Sequence, residues 1–402
     1  MMKKVHKAWK VLMVLCGLAA ASVGISINTS GVFYSVVADD LALLRGAFAF
    51  HMTIFSLVTA VSALLVPRFL RKIPFKVLLT ISVVVAVMST AFMAVSTQLW
   101  QFYLLGAIRG FSTGMFSIVT ITTVINHWFI DKNGLATSIA LTFSGIMGAI
   151  FSPVFSAIIA VASWQTAYLI EALLLFCLCL PAILYPFAIQ PEASNARAYG
   201  AKRLSSPTSA NLGDKRVLTL ALILIMSFGV MVSFVSSMTQ HLPSYAKTLA
   251  SSATVGASLL SMGMFGNIIS KLIMGFLSDK IGAIKSSLLL LLANSLGTIL
   301  LLVTRSPVLL LLAALLFGAC YGLGAVSLPL LTQLMFGKSG YTKTFPLVSF
   351  VSNIGAATAF SIIGYSYDFT RSYTPALIFI VALLFLSMLS LIVIHYLMIR
   401  PK

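Results

Sequence analysis

The sequence predicts an all-α membrane protein with twelve transmembrane helices arranged in two six-helix halves. Three observations predict this class: the composition, a series of apolar runs, and the placement of the basic residues. Of the 402 residues, 60% are hydrophobic and 8% are charged, whereas soluble domains carry about 25% charged residues. So few charged side chains cannot cover the surface of a soluble fold of this length.

Apolar runs long enough to cross a bilayer recur along the whole chain. A transmembrane helix needs roughly 20 mainly apolar residues. The first run follows a basic segment, as in a cleaved signal peptide, but it continues well past Ala21, which favours a retained first span. The runs predict spans at residues 11–36, 46–66, 75–96, 101–125, 134–160, 164–188, 217–240, 253–277, 286–304, 307–331, 342–367 and 375–397.

The basic residues predict which way the spans run. With an even number of spans, both termini lie on one side of the membrane, and the loops of the opposite side carry only Arg45, Lys247, Arg305 and Arg371. The side of the termini carries Lys3, Lys4, Lys7, Lys10, Arg68, Arg71, Lys72, Lys76, Lys132, Arg197, Lys202, Arg203, Lys215, Arg216, Lys280, Lys285, Lys338, Lys343, Arg400 and Lys402. This asymmetry predicts a multi-pass protein of the inner (cytoplasmic) membrane with both termini in the cytoplasm. The net charge of +18 therefore reflects topology and contact with membrane lipid, and no nucleic-acid partner is expected.

The longest polar segment divides the chain in two. Residues 190–216 contain two prolines and several basic residues, and they separate the sixth predicted span from the seventh. We expect an N-terminal six-helix half at 1–189, a cytoplasmic linker at 190–216 and a C-terminal six-helix half at 217–402. Two six-helix halves are typical of transporters built from parallel repeats.

A loop in the second half resembles a motif of the major facilitator superfamily. Gly275-Phe276-Leu277-Ser278-Asp279-Lys280-Ile281-Gly282 is similar to that family's G-x-x-x-D-K/R-x-G loop, and a shorter echo begins at Phe69. The resemblance implies the major facilitator fold and a conformational latch at Asp279 and Lys280, although an interfacial anchor on a tight turn explains the same residues. In the first half, Arg71 occupies the acidic position of the motif.

A second segment resembles the monocarboxylate and oxalate transporter branch of that family. It runs from His127 to Thr137, with further similar segments at Gly31-Val32-Phe33-Tyr34 and at His241-Leu242-Pro243-Ser244-Tyr245-Ala246. In that branch, an Asp or Asn lies four residues before an Arg that contacts the substrate carboxylate. Asn267 and Lys271 match these positions, with Lys replacing Arg, and Asn28 lies near a position where some members carry Lys.

Once the basic residues at the span ends are assigned to the loops, three charged residues remain inside the predicted spans: Arg109, Glu171 and Lys271. Ionisable groups in a membrane are costly and are functional candidates by default. Arg109 and Glu171 lie at similar predicted depths, roughly 12 Å and 10 Å from the outer side at 1.5 Å per residue. They form either a structural ion pair or a device in which Arg109 attracts an anion and Glu171 carries the coupling proton.

Lys271 and several uncharged polar residues in the spans are further candidates for substrate binding or proton coupling. Lys271 either extends toward the interface or binds substrate together with Asn267, which is one helical turn away. His51 either titrates as part of proton coupling or forms a structural hydrogen bond. Asn28, Tyr34 and Asn353 lie on spans one and eleven, which usually face the cavity in the resembling family, and they are expected to orient a substrate.

These residues predict a secondary active transporter that moves a small organic anion, a carboxylate, by alternating access as proton symport or anion exchange. The alternatives are a proton-coupled drug or cation exporter that uses Glu171, and a sensor that binds ligand without flux. The chain carries no nucleotide-binding motif and no nucleophile and base pair, so no enzyme activity and no cofactor or metal are predicted. The expected partners are the anionic substrate, protons and lipid, and a monomer is expected.

Overall fold

The fold is all-α and divides into two compact units. The computed structural model describes residues 6–43, 45–200, 215–249 and 253–399. The units comprise Met1–Leu204 and Ser205–Lys402. The residues 201–214 of the predicted linker lie outside the described residues.

The described residues of the first unit form eight α-helices. They are α1 (Lys7–Ala19), α2 (Tyr34–Asp40), α3 (Arg45–Lys72), α4 (Phe75–Met93), α5 (Leu99–Phe116), α6 (Ile118–Trp128), α7 (Asn133–Val161) and α8 (Trp164–Leu184). The predicted fourth span comprises α5 and α6, which meet at the extended backbone of Ser117.

The predicted first span is interrupted. After α1 the chain forms a π-helix at Ala20–Ile25, a turn at residues 26–29 and a 3₁₀ turn at Ser30–Val32 before α2 begins. Hydroxyl groups bind carbonyls beside the interruption: Ser26 Oγ donates to Ala21 O at 3.0 Å and Thr29 Oγ1 donates to Ile25 O at 2.6 Å. Irregular backbone at membrane depth needs such internal partners, because lipid offers none.

Glycines at a four-residue spacing bring α5 against α3. A Cβ at Gly106 would lie 2.9 Å from His51 O, and a Cβ at Gly110 would overlap the backbone of Phe55. Gly114 approaches Ser62 in the same way. Small residues at this spacing let two membrane helices touch along their backbones, and this contact fixes the position of Arg109, which precedes Gly110.

Lys76 joins the start of α4 to the end of α8. Its Nζ donates to Ala182 O at 2.6 Å and also to Tyr185 O, and it lies 4.5 Å from the centre of the Phe187 ring. The carbonyls in the last turn of a helix have no partners within the helix, and the helix dipole favours a cation there. Lys76 therefore caps α8 from a neighbouring helix.

The segment that follows α8 packs against earlier helices of the first unit. Tyr199 N donates to Trp128 O at 2.8 Å and Ile130 N donates to Tyr199 O at 2.9 Å. The Tyr199 ring contacts the rings of Trp9 and Phe129 at centroid distances of 5.6 and 5.8 Å. Residues 190–200 were predicted as the start of the linker, and within the described part of the chain they pack against α1 and the end of α6.

The second unit also consists of eight α-helices in the described residues. They are α9 (Lys215–Ser237), α10 (Leu242–Thr248), α11 (Ala253–Ile281), α12 (Ala283–Val303), α13 (Pro307–Phe317), α14 (Ala319–Gly322), α15 (Leu328–Thr370) and α16 (Thr374–Ile399). A 3₁₀ turn at Met238–His241 separates α9 from α10, and a π-helix at Leu323–Ser327 precedes α15.

Eleven helices among the described residues are long and apolar enough to cross a membrane. They correspond to every predicted span except 342–367. That segment lies in α15 beyond Gly337, where a φ of 65° breaks the helical geometry. The predicted all-α fold is confirmed in the described residues.

Candidate functional site

Arg109 and Glu171 form a buried ion pair in the first unit. Nη2 of Arg109, on α5, donates to Oε1 of Glu171, on α8. Each side chain is 3% exposed. The contact expected of a structural ion pair is therefore present. It connects two helices through residues that lie 62 positions apart in the sequence.

The rest of the Arg109 guanidinium has few polar partners. Nη1 lies 3.9 Å from Met93 Sδ, and the guanidinium carbon lies 5.9 Å from the centre of the Phe55 ring. Nε has no hydrogen-bond partner among the described residues. Because a guanidinium has five N–H donors and a thioether accepts weakly, Arg109 retains donors that an anionic ligand could use.

His51 is buried next to this region, on α3. Its ring nitrogen Nδ1 lies 2.5 Å from Phe48 O. The ring packs against Phe48 and Phe102, with centroids 4.6 and 6.3 Å away. This environment supplies the hydrogen bond that a structural histidine requires, and the coupling role of His51 stays a prediction.

Asn28 lies in the interruption of the first span and contacts α7. Its Nδ2 donates to Ser144 O at 3.0 Å, and Ser152 Oγ donates to the Asn28 carbonyl at 3.4 Å. Gly148 makes this approach possible, because a Cβ there would lie 2.6 Å from the Asn28 Cβ. Asn28 is half-buried. Tyr34 begins α2, and its side chain lies outside the described residues.

Lys271 and Asn267 lie one turn apart on α11 in the second unit. Lys271 is 2% exposed and Asn267 is fully buried. Nδ2 of Asn267 lies 3.8 Å from Met264 Sδ, whereas its Oδ1 has no hydrogen-bond partner among the described residues. The burial of Lys271 does not fit the alternative in which its ammonium group extends to the interface. Asn267, one turn away, carries an acceptor that is unsatisfied among the described residues.

Small residues hold this part of α11 against the next helices. Ser270 Oγ donates to Gly318 O at 3.2 Å. A Cβ at Gly318 would lie 2.7 Å from the Cα of Gly266 and 2.8 Å from the backbone nitrogen of Asn267. The glycine contact therefore positions Asn267. The small residues Gly263, Gly266 and Ser270 of α11 are a signal of this contact that the sequence interpretation missed.

The other predicted residues lie on α15 and at the end of α11. Asn353 is half-buried on α15, where its Nδ2 donates to Ser349 O of the same helix at 2.8 Å. Asp279 and Lys280 are exposed at the end of α11, and Lys280 Nζ lies 4.2 Å from the centre of the Phe276 ring. Gly282, with φ of 88°, ends the helix in the left-handed region. The roles of these residues stay predictions.

Metal ligation has no support among the described residues. No group of three or more His, Cys, Asp or Glu side chains that could hold a metal ion occurs in the part of the chain that the structure describes. The buried charged side chains there are Arg109, Glu171 and Lys271.

The spanning helices and the buried charges define a multi-pass α-helical membrane protein of the transporter class. Residues 16–262 and 242–402 match the family model of the Major Facilitator Superfamily. The chain belongs to the Major Facilitator Superfamily. This membership agrees with the family resemblance found in the sequence.

Individual relatives agree with the predicted branch. The chain is 26% identical over 296 residues to monocarboxylate transporter 13 of Bos taurus and, over the same length, to that of Rattus norvegicus. Each alignment covers 72% of this chain and 66% of the relative. An MFS-type transporter pytF of Aspergillus terreus is 25% identical over 197 residues, which is 48% of this chain and 63% of that protein. The chain thus spans just under two thirds of these relatives' length, and the predicted resemblance to the monocarboxylate branch is confirmed.

Proposed function

We propose that this chain is a secondary active transporter that moves a small organic anion, a carboxylate, across the cytoplasmic membrane by alternating access. The supporting observation is the balance of buried charge: the described spans bury two cations, Arg109 and Lys271, and one carboxylate, Glu171. A net charge buried within membrane spans is costly. A carboxylate substrate supplies the negative charge that balances the surplus cation.

Lys271 is the residue that binds the substrate carboxylate in this proposal. It is almost fully buried on α11, and Asn267 presents an unsatisfied acceptor one turn away. A lysine is a compact charge with three donors, so it binds one carboxylate oxygen without the two-point geometry of an arginine. Asn267 Oδ1 accepts from a hydroxyl or protonated group of the substrate.

Arg109 and Glu171 couple the substrate to a proton. While Glu171 is ionised, the pair is neutral and Arg109 has a partner. When Glu171 takes up a proton, Arg109 remains as a buried cation whose Nε already has no partner in the described residues, and an anion can replace the carboxylate. Proton binding and anion binding are then linked, which is the requirement of a symporter.

The remaining candidate residues support this cycle. Asn28, Tyr34 and Asn353 orient the substrate, and His51 assists proton movement near Arg109. Asp279 and Lys280 form a latch on the side predicted to be cytoplasmic. Lys280 is exposed, and its described ring contact is with Phe276 of its own helix. Its ammonium group is therefore able to bind a residue of another helix. The relatives named monocarboxylate transporter 13 support the carboxylate as cargo, and the loop charges support cytoplasmic termini.

The ion pair also favours a second candidate, a proton-coupled exporter of drugs or cations. Because Glu171 neutralises Arg109, the buried charged residues of the first unit have no net positive charge. Glu171 could then exchange a proton for a cationic substrate. In this alternative Lys271 has a structural role. The two candidates differ in the sign of the transported charge, which makes them separable by experiment.

Purified protein reconstituted into proteoliposomes tests the proposal. A panel of labelled mono- and dicarboxylates is offered with and without an imposed pH gradient, next to a cationic dye. We expect uptake of at least one carboxylate above that of protein-free liposomes, increased by an inward proton gradient for symport or by internal anion for exchange. Expulsion of the dye without movement of any carboxylate would support the exporter instead.

A further inference from the structure

Three exposed cations surround a cavity at the end of α3. Arg68, Arg71 and Lys72 are exposed, and Leu65 and Phe69 lie among them, partly buried. Together these five residues line a cavity of about 600 Å³, which we name the α3 basic cavity. It lies at the end of a candidate membrane span, Phe50–Lys72, on the side that the loop charges predict to be cytoplasmic.

The residues of the cavity are held in position by α3 and by α5. Leu65, Arg68, Phe69 and Lys72 are spaced at i, i+3, i+4 and i+7, so they share one face of the helix. The Phe69 ring packs edge-on against Phe111 of α5, with centroids 6.3 Å apart. The cavity therefore has a fixed apolar wall beside its cations.

No carboxylate neutralises these cations in the described part of the chain. Arg71 Nε donates to Pro67 O of its own helix at 3.3 Å. The ion pair in the described residues joins Arg109 on α5 to Glu171 on α8, and it includes none of the cavity residues. Like charges within one helical turn repel one another, and a bound anion would relieve this repulsion.

The similar segment of the second unit shows that the end of a span does not require such a cluster. There Phe276 is covered by Lys280 at 4.2 Å, and Asp279 precedes that lysine. One cation and one carboxylate balance in that segment, whereas the first unit places three cations beside Phe69. Stabilisation of a helix end by its dipole explains one basic residue in the last turn, but it does not explain a cavity lined by three.

We propose that the α3 basic cavity binds the phosphate of an anionic phospholipid headgroup. Arg68 and Lys72, one turn apart, bind the phosphate oxygens, for which the arginine fork is well suited. Leu65 and Phe69 contact the glycerol and the first acyl carbons. A phospholipid fits better than soluble phosphate because it fills both the charged and the apolar parts of the cavity, and the cavity opens where anionic lipids reside.

Native mass spectrometry of the full chain, released from nanodiscs of phosphatidylglycerol and phosphatidylcholine in equal amounts, tests the proposal. We expect the protein to retain phosphatidylglycerol preferentially, and the variant R68Q/R71Q/K72Q to lose that preference. Since each basic residue near an anionic surface contributes about tenfold or less to affinity, the three together should weaken binding on the order of 100-fold. K285Q, at an exposed position on α12 of the second unit, is the control and should retain the preference.

Two further arms keep the proposal open to refutation. The variant R68K/R71K preserves the charge and should still prefer phosphatidylglycerol, and a loss of preference as complete as in the glutamine variant would overturn the electrostatic account. Inorganic phosphate should not displace the lipid at millimolar concentration. Displacement by inorganic phosphate, or equal lipid retention by the glutamine variant and the unmodified protein, would contradict a lipid site in this cavity.

Discussion

Arg109 on α5 donates a hydrogen bond to Glu171 on α8, and both side chains are buried in the apolar interior of the first unit. The contact links helices that are separated along the chain by α6 and α7. Breaking a buried ion pair from one side leaves an uncompensated charge, which costs about 3–5 kcal/mol. Loss of either charge should therefore weaken the link between α5 and α8.

Neutralising one partner of the pair should destabilise the protein more than neutralising both. R109Q and E171Q each leave a buried polar mismatch and should each lower the free energy of unfolding by about 3 kcal/mol or more. The double variant R109Q/E171Q should lose clearly less than the sum. Denaturant unfolding of the purified variants measures these losses, and strictly additive effects would contradict a direct energetic coupling.

Transport by the same double variant separates the two roles of the pair. If Glu171 carries the coupling proton, R109Q/E171Q should fold and bind substrate, but its uptake should no longer respond to an imposed pH gradient. If the pair is structural, the response of the double variant to the gradient should equal that of the unmodified protein. The proteoliposome assay gives this comparison at matched protein content.

Alanine at Gly110 should disrupt the contact between α3 and α5. The new Cβ would overlap the Phe55 backbone, and overpacking of this kind typically costs about 1–3 kcal/mol. Gly324→Ala is the control, because its Cβ would meet its nearest neighbour, Val232 Cγ1, at an ordinary 3.7 Å. Equal thermal stability of the two variants would show that the helices do not approach as closely as the structure places them.

Removal of the Lys76 ammonium group should loosen the end of α8. Lys76→Met keeps most of the apolar side chain but leaves the carbonyl oxygens of Ala182 and Tyr185 without this donor. Hydrogen bonds to a charged group contribute about 1.5–3 kcal/mol. We expect the free energy of unfolding to fall by about that amount, which thermal unfolding measures as a lower Tm. Lys10→Met is the control, since Lys10 is exposed on α1, and a comparable loss there would assign the effect to net charge.

The sequence was sufficient for the parts of the fold that depend on local composition. Apolar runs of about 20 residues located the spans, and the four-residue spacing of Asn267 and Lys271 predicted that they share a face of one helix. Agreement in depth also suggested the contact of Arg109 with Glu171. These inferences need only the periodicity of a helix and the cost of burying charge.

Contacts between distant segments could not be predicted in the same way. Lys76 was counted as one of many basic loop residues, because nothing near it in the sequence reveals the end of α8. Residues 190–200 have the composition of a linker, and their packing depends on the rings of Trp9 and Phe129, far away in the chain. The interruption near Asn28 likewise depends on α7, which supplies Ser144 and Gly148.

Uptake by Lys271 variants tests the central claim most directly. With the carboxylate that the proteoliposome panel identifies, Lys271→Ala should reduce uptake to the level of protein-free liposomes, and Lys271→Arg should retain part of it because the charge is preserved. Lys285→Ala, at an exposed position on α12, should transport normally. Undiminished carboxylate uptake by Lys271→Ala, at equal amounts of folded protein, would contradict the assignment of this buried cation to the substrate.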